Sequence, residues 1–96
     1  MLAANTISRG EASGVRGAVE VRGRFALISN HFFGFDEPDT MTLCLYPDRL
    51  GQPLHNLYRD NVFEQCASVI AESAKDLWAA AEKSGNVFVS CGAALK

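Results

Sequence analysis

The chain has 96 residues, 48% of them hydrophobic, and a formal net charge of -2. This length and ordinary composition predict a single domain, residues 1–96, and exclude wholesale disorder. The slightly acidic balance lacks the basic excess that is typical of nucleic-acid-binding proteins. We find neither a run approaching the ~20 apolar residues of a transmembrane helix nor the apolar segment of a signal peptide at the start.

The first sixteen residues have two interpretations. Residues 2–8 are either a short edge strand or a frayed tail. Residues 10–17 (GEASGVRG) have the glycines and small polar residues of a flexible connector, and they lack the Lys-Ser/Thr pair of a phosphate-binding loop. Residues 1–16 are therefore predicted either to be flexible or to include an edge strand.

Residues 18–29 and 40–46 alternate apolar with polar side chains. This alternation predicts two strands, each with one buried face. Gly23 lies on the apolar face of the first strand, where a bulge would fit. The residues expected to point inward from these strands are Val19, Val21, Phe25, Leu27, Met41, Leu43 and Leu45.

The strongest periodicity lies between residues 56 and 85. At 100° per residue, an apolar stripe falls within about 40° of one line. Asn61 and Glu64 have the spacing of a capping box, and Gly85 suits the position just after a helix. We therefore predict one long amphipathic helix within residues 56–85, spanning residues 62–84, with a start at Asn56 as an alternative. The stripe consists of Phe63, Cys66, Ile70, Ala74, Leu77 and Ala81.

Residues 86–92 (NVFVSCG) are the last predicted strand, with Val87, Val89 and Cys91 on one face. The order β-β-α-β predicts an α+β fold, with an additional N-terminal strand as a variant. We expect a three- or four-stranded, mainly antiparallel sheet with one long amphipathic helix packed on one face. An open sheet face or edge would then be available to a homodimer or to a partner's strand.

No constellation of residues indicates catalysis or metal binding. Cys66 lies within the apolar stripe, which favours a buried thiol over a reactive one. His31 and His55 are in predicted loops, and no spacing pairs either of them with a cysteine. Structural zinc requires closely spaced ligands, and no Cys or His has another within four positions. We therefore predict no cofactor and no enzyme, with a small thiol-dependent enzyme as one alternative.

The cysteines also bear on localisation. Cys44, Cys66 and Cys91 are widely spaced, odd in number and not preceded by a signal sequence, a pattern typical of a reducing compartment. We expect a cytoplasmic protein without a membrane partner, in the host cytoplasm if a phage encodes it. A second alternative function is a nucleic-acid-associated module that uses Arg22 and Arg24, although RGRFA only loosely resembles an RNA-recognition strand.

Residues 31–39 (HFFGFDEPD) are the candidate binding site. Three phenylalanines within four positions are either core residues or interface anchors. Gly34 allows the chain to turn between Phe33 and Phe35, so we expect Phe32 or Phe35 to be buried and Phe33 to point outward. An acidic rim would surround the exposed ring. The predicted partner-binding residues are Phe32, Phe33, Phe35, Asp36, Glu37 and Asp39.

These features together predict a small, acidic, non-enzymatic protein-interaction module. We expect it to act as a stoichiometric inhibitor that occupies a surface on a larger protein or complex. The acidic rim would favour a partner with a basic surface. Phage-encoded antagonists of host defence nuclease systems are one class of such proteins, and this comparison is an analogy of class alone.

Overall fold

A computed structural model describes residues 1–8, 17–22, 25–37, 40–46 and 56–92. This part of the chain contains ten short strands, a 3-10 turn at Glu72–Ala74 and one helix, α1, at Lys75–Ala80. The strands are Leu2–Ala3 (β1), Thr6–Ser8 (β2), Val19–Arg22 (β3), Ala26–Ile28 (β4), His31–Phe33 (β5), Leu43–Tyr46 (β6), Leu57–Arg59 (β7), Val62–Glu64 (β8), Glu82–Ser84 (β9) and Val87–Val89 (β10).

The strands form three sheets in which every pair is parallel. Sheet A has the order β1-β4-β7-β9, sheet B has the order β2-β5-β8-β10, and sheet C pairs β3 with β6. Equivalent positions in successive strands are stacked on one another. In sheet B, Thr6 aligns with His31, His31 with Val62, and Val62 with Val87. The chain therefore winds as a parallel β-helix.

Four coils of this β-helix are described. Coil one contains β1, β2 and β3, coil two contains β4, β5 and β6, coil three begins with β7 and β8, and coil four contains β9 and β10. Coil three lies beside sheet C but forms only isolated contacts with it. Met41 makes a parallel bridge with Ser68, and the Leu43 amide donates to the Val69 carbonyl at 2.8 Å. Helix α1 then connects this third side to β9.

The corner between sheets A and B has a similar backbone conformation in each of the four described coils. The residue after each sheet A strand has positive φ, at Ala4 (56°), Ser29 (56°), Asp60 (57°) and Gly85 (68°). This conformation costs an L-residue roughly 1–2 kcal/mol, so something in each corner must offset it. Each of these residues precedes an asparagine, and the four asparagines are stacked along the β-helix: Asn5, Asn30, Asn61 and Asn86.

The asparagine ladder stabilises these corners by hydrogen bonds between coils. The Asn5 amide donates to Asn30 Oδ1 at 3.1 Å, the Asn30 amide to Asn61 Oδ1 at 3.0 Å, and the Asn61 amide to Asn86 Oδ1 at 3.0 Å. Asn30 and Asn61 are buried, and their side-chain amides also donate to backbone carbonyls. Buried polar groups are tolerated here because each has a partner.

The interior is filled by side chains that stack from coil to coil. Phe63 stacks between Phe32 and Phe88, with ring centroids 5.0 and 5.2 Å away, close to the strand spacing of a sheet. Trp78 of α1 enters the same interior and stacks on Tyr58 at 5.2 Å. The short helix thus contributes one large ring to the core that the strands surround.

The predicted α+β fold, with a mainly antiparallel sheet under one long amphipathic helix, is wrong. The sheets are parallel, and the helix predicted over residues 62–84 is replaced by strands β8 and β9, the 3-10 turn and the six residues of α1. Within coil three, Gln65 has φ 52° and turns the chain, so Phe63 and Cys66 both point inward. A corner between two inward residues reproduces the i, i+3 spacing of a helix.

The proposed helix ends have other roles. Asn61 is part of the ladder and does not cap a helix, while Gly85 has the expected positive φ but lies at a coil corner. The segment 18–29 forms two strands, β3 in sheet C and β4 in sheet A, and not one. Gly23, where a bulge was expected, is outside the described residues. The predicted inward residues Val21, Leu27, Leu43 and Leu45 are buried as expected.

At the ends of the chain, the prediction agrees with the structure for residues 2–8 and differs for the last strand. Residues 2–8 form two edge strands, β1 and β2, and not a frayed tail. Most of the proposed connector at 10–17 is outside the described residues. The last strand is β10, and its Val87 and Val89 are exposed instead of packed against a helix.

Candidate functional site

The predicted phenylalanine loop is strand β5 and the corner that follows it. Phe32 and Phe35 are buried, whereas Phe33 is 38% exposed. Successive residues of a strand point to opposite faces, and Gly34, with φ 85°, reverses the chain so that Phe35 points inward again. This is the predicted orientation of the rings, but the buried rings pack inside a β-helix and not at a helix end.

The six predicted partner-binding residues are therefore divided between two environments. Phe32 and Phe35 are core residues and cannot reach a partner while the protein is folded. Phe33 and Asp36 are exposed, and Glu37 is half-buried. Asp39 is outside the described residues. Partner binding through the exposed members of the set stays a prediction.

Phe33 lies on the outer face of sheet B, which repeats two register positions. One row contains Thr6, His31, Val62 and Val87, and the other contains Ser8, Phe33, Glu64 and Val89. We call these eight residues the sheet B outer face. Its large exposed apolar side chains are Phe33, Val87 (48%) and Val89 (41%).

A polar pair lies in the middle of the sheet B outer face. His31 Nε2 is 2.9 Å from Glu64 Oε1, and both side chains are more than one-third exposed. The His31 ring also meets the edge of the Phe33 ring, with centroids 6.3 Å apart. Phe33 therefore lies next to a histidine that is paired with a carboxylate, and the face combines apolar area with a paired polar centre.

The second candidate site is a cleft beside sheet C. It has a volume of about 560 Å³, within the size range of ligand pockets. Its polar side chains include Glu20, Cys44 and Tyr46 from the outer face of sheet C, and Ser73 from the 3-10 turn. Among the described residues that line it there is no histidine, so the Cys44 thiol lacks the imidazole base that thiol catalysis commonly uses.

The three cysteines are free thiols in different environments. Cys66 is buried, and burial raises the pKa of its thiol, which opposes formation of the reactive thiolate. Cys91, one coil further on, donates to the Phe63 carbonyl at 3.2 Å. Cys44 lines the sheet C cleft. A nucleophile at Cys66 is therefore unfavourable.

For the two arginines of the nucleic-acid alternative, the structure describes only the Arg22 backbone. The Arg22 backbone pairs with Tyr46 in sheet C, but the Arg22 side chain and the whole of Arg24 are outside the described residues, as is His55. In the described ranges, no three His, Cys, Asp or Glu side chains are grouped so that they could hold a metal ion. Nor does that part of the chain include a helix long and apolar enough to span a membrane.

The asparagine ladder is the feature that sequence reasoning missed. Its signal is an Asn-x-Phe motif at residues 30–32, 61–63 and 86–88, preceded by Asn5-Thr6-Ile7. The asparagines are 25, 31 and 25 residues apart, which is the length of one coil. A search for internal repeats at this period would have indicated a solenoid.

No protein-family model matches the chain, and no match was found among curated proteins or solved structures.

Proposed function

We propose that this protein is a protein-binding module that contacts its partner through the sheet B outer face, with Phe33 as the central anchor. The observation that supports this proposal most directly is the exposure of Phe33 next to the His31–Glu64 pair. Interface hot spots are commonly aromatic side chains with polar groups around them. A phenylalanine has no polar atom that would favour its contact with water.

The neighbouring coils enlarge this surface. Val62 and Val87 are adjacent in one row, and Val89 follows Glu64 in the other. Coils lie about 4.8 Å apart, so residues two coils apart are separated by roughly 10 Å, and the face is wide enough to contact several side chains of a partner. Because the strands are hydrogen-bonded on both sides in the middle coils, the face is preorganised and loses little entropy on binding.

Charge next to this face favours a basic partner. Asp36 is exposed and Glu37 half-buried in the segment that follows β5. Acidic groups at the rim of an interface accelerate association with a positively charged surface. We further propose that the module inhibits a larger protein or complex by occupying such a surface, without catalysing a reaction.

The test compares two aromatic side chains of equal exposure. Phe33 and Tyr46 are both 38% exposed, but Tyr46 lies on sheet C beside the cleft. Proteins captured from a lysate by the unmodified chain are identified, and the affinity of the best candidate is measured for Phe33→Ala and Tyr46→Ala. We expect Phe33→Ala to weaken binding about thirtyfold, corresponding to ~2 kcal/mol, and Tyr46→Ala to bind normally.

Two results would contradict the proposal. Loss of binding by Tyr46→Ala alone would place the site at the sheet C cleft. Normal binding by both variants would exclude both surfaces. A double charge reversal of Asp36 and Glu37 to lysine should slow association, most visibly at low salt, and an unchanged association rate would remove the basic partner from the proposal.

A further inference from the structure

The first and last described coils of the β-helix have complementary hydrogen-bonding groups. At each junction between coils, three backbone amides make equivalent bonds at the corner between sheets A and B. In the first junction, the Ala4 amide donates to the Ile28 carbonyl, the Asn5 amide to Asn30 Oδ1, and the His31 amide to the Asn5 carbonyl, at 3.0, 3.1 and 2.8 Å.

The same triplet recurs at the second and third junctions. Ser29 donates to Arg59, Asn30 to Asn61 Oδ1, and Val62 to Asn30, at 2.9, 3.0 and 2.8 Å. The third triplet has these same distances and consists of Asp60 to Ser84, Asn61 to Asn86 Oδ1, and Val87 to Asn61. Three repeats with nearly constant geometry define what any further coil would have to supply.

Coil four presents one half of this triplet. Within the described residues, the amides of Gly85 and Asn86 and the carbonyl of Asn86 have no partner from a following coil. Coil one presents the other half, namely Asn5 Oδ1, the Thr6 amide and the Ala3 carbonyl. The Ala3 carbonyl accepts from Asn5 Nδ2 at 2.8 Å within its own coil and has a second lone pair for a donor from another coil. Thr6 corresponds to His31, Val62 and Val87, whose amides all donate to the preceding coil.

We propose that a second copy of this chain stacks head to tail, with its coil one on coil four of the first copy. The Asn86 amide would donate to Asn5 Oδ1 of the second copy, and its Thr6 amide to the Asn86 carbonyl. Sheets A and B would then continue in parallel across the two copies. This is strand addition in which the register is specified by the asparagine ladder.

The side chains at the sheet B end are suited to this contact. Strand β10 contains no charged residue, and its Phe88 is the exposed last ring of the interior stack. In the repeated register, Phe88 of one copy would lie against Ile7 of the next, just as Phe32 lies against Ile7 within the chain. Stacking would therefore cover an apolar ring that water now contacts.

On the edge strand β9, Lys83 aligns with the buried Tyr58, and inward charges on edge strands oppose strand addition. The Lys83 ammonium, however, donates to the Trp78 and Ala81 carbonyls at 2.6 and 3.0 Å. It also lies 5.4 Å from the Trp78 ring. Its charge is thus bound at the end of α1, within its own copy.

The test blocks each end separately. Thr6→Pro removes the Thr6 amide proton at the first residue of an edge strand, where proline is tolerated, and Thr6→Val is its matched control. Phe88→Lys places a charge at the opposite end, and Tyr46→Lys, which replaces an equally exposed aromatic ring on sheet C in coil two, is its control. Sedimentation velocity over a wide concentration range measures self-association, and circular dichroism melts confirm that each variant is folded.

We expect the unmodified chain to form a series of species that grows with concentration, as open head-to-tail contacts do. Thr6→Pro and Phe88→Lys should each weaken self-association at least about tenfold, and their controls should not. A mixture of the two blocked variants should form a one-to-one dimer, because each retains the end that the other lacks. Should one variant fail to fold, the other variant and its control still decide.

A chain that stays monomeric at all concentrations overturns this inference. So does a mixture of blocked variants that forms no dimer, or a Thr6→Pro variant that associates like Thr6→Val. A closed dimer that is lost in Phe33→Ala but not in Thr6→Pro would indicate self-association through the sheet B outer face. Phe33→Ala should otherwise stack normally, so failure of the proposed partner site and failure of this inference are distinguishable.

Discussion

The interior and the outer surface of this β-helix are built from alternate residues of the same strands. On the inside of sheet B, Phe32, Phe63 and Phe88 repeat the same ring in three successive coils. On the outside, the corresponding row changes from Phe33 to Glu64 to Val89. Interior side chains are enclosed on all sides and close-packed against those of coils about 4.8 Å away, so their shapes must match. Outer side chains have no such constraint, and specific binding can therefore be encoded there.

The largest effect that would test this comparison is expected at Phe32. Phe32→Ala removes a fully buried ring from the stack and should lower the free energy of unfolding by about 3–5 kcal/mol. Its neighbour Phe33 points outward, so Phe33→Ala should change stability by less than about 0.5 kcal/mol. Urea denaturation of both variants measures the difference. Equal destabilisation would show that the two faces of β5 are wrongly assigned.

The asparagine ladder allows a second comparison, between a buried rung and an end rung. Asn61 Oδ1 accepts from the Asn30 amide at 3.0 Å, and its Nδ2 donates to the Leu27 carbonyl at 2.9 Å. Asn61→Ala leaves both buried groups unpaired and should cost about 3 kcal/mol. Asn5→Ala, at the partly exposed end, should cost about 1 kcal/mol or less, because its backbone amide still reaches Asn30. Circular dichroism melts of both variants measure the loss of stability. Similar losses for Asn61→Ala and Asn5→Ala would contradict the ladder's role in the interior.

A third, smaller effect concerns alkaline pH. Burial raises the pKa of Tyr58, and the hydrogen bond that its hydroxyl accepts from Asn56 Nδ2 at 2.9 Å lowers it by less. Above about pH 10, the unfolded state releases this proton while the folded state retains it, so the free energy of unfolding falls as pH rises. Urea denaturation should therefore be more pH-dependent in the unmodified chain than in Tyr58→Phe. The exposed Tyr46 provides the matched Tyr46→Phe control, and an unchanged slope in Tyr58→Phe would refute the assignment.

The last prediction concerns the rates at which the thiols react with a labelling reagent, and it involves no change in stability. Cys66 is inside the β-helix, where burial raises the pKa of its thiol and excludes reagents, whereas Cys44 borders the sheet C cleft. All three cysteines should be reduced in the native protein, and Cys44 should be labelled well before Cys66. Peptide mapping after timed exposure to a thiol reagent gives both rates. Rapid native labelling of Cys66 would place it outside the core.

Part of the candidate site could be predicted from sequence because it depends on neighbours along the chain. Strand alternation and the flexibility of Gly34 were enough to predict that Phe33 points outward and that Phe32 or Phe35 is buried. The environment of Phe33 could not be predicted. His31 and Glu64 meet only because residues 33 positions apart occupy adjacent coils.

The incorrect helix prediction also shows that local sequence does not determine contacts between coils. Phe63, Cys66, Ile70, Ala74 and Ala81 are all buried, so the apolar pattern identified interior residues correctly and their secondary structure incorrectly. Ser29 and Gln65 have positive φ without being glycine, and local propensity does not favour corners at such residues. Their conformations are stabilised by bonds to the next coil, which no short window of sequence contains.

The sequence by itself determined many of the buried apolar side chains, that the chain contains no membrane-length apolar run, and that one phenylalanine of β5 would face outward. These properties depend on composition and on alternation between adjacent residues. Only the tertiary structure decided that the strands are parallel, that the asparagines form one ladder, and that the first and last described coils have complementary hydrogen-bonding groups. Those properties depend on register between residues 25 and 31 positions apart, which is set by stacking of whole coils and not by any local preference.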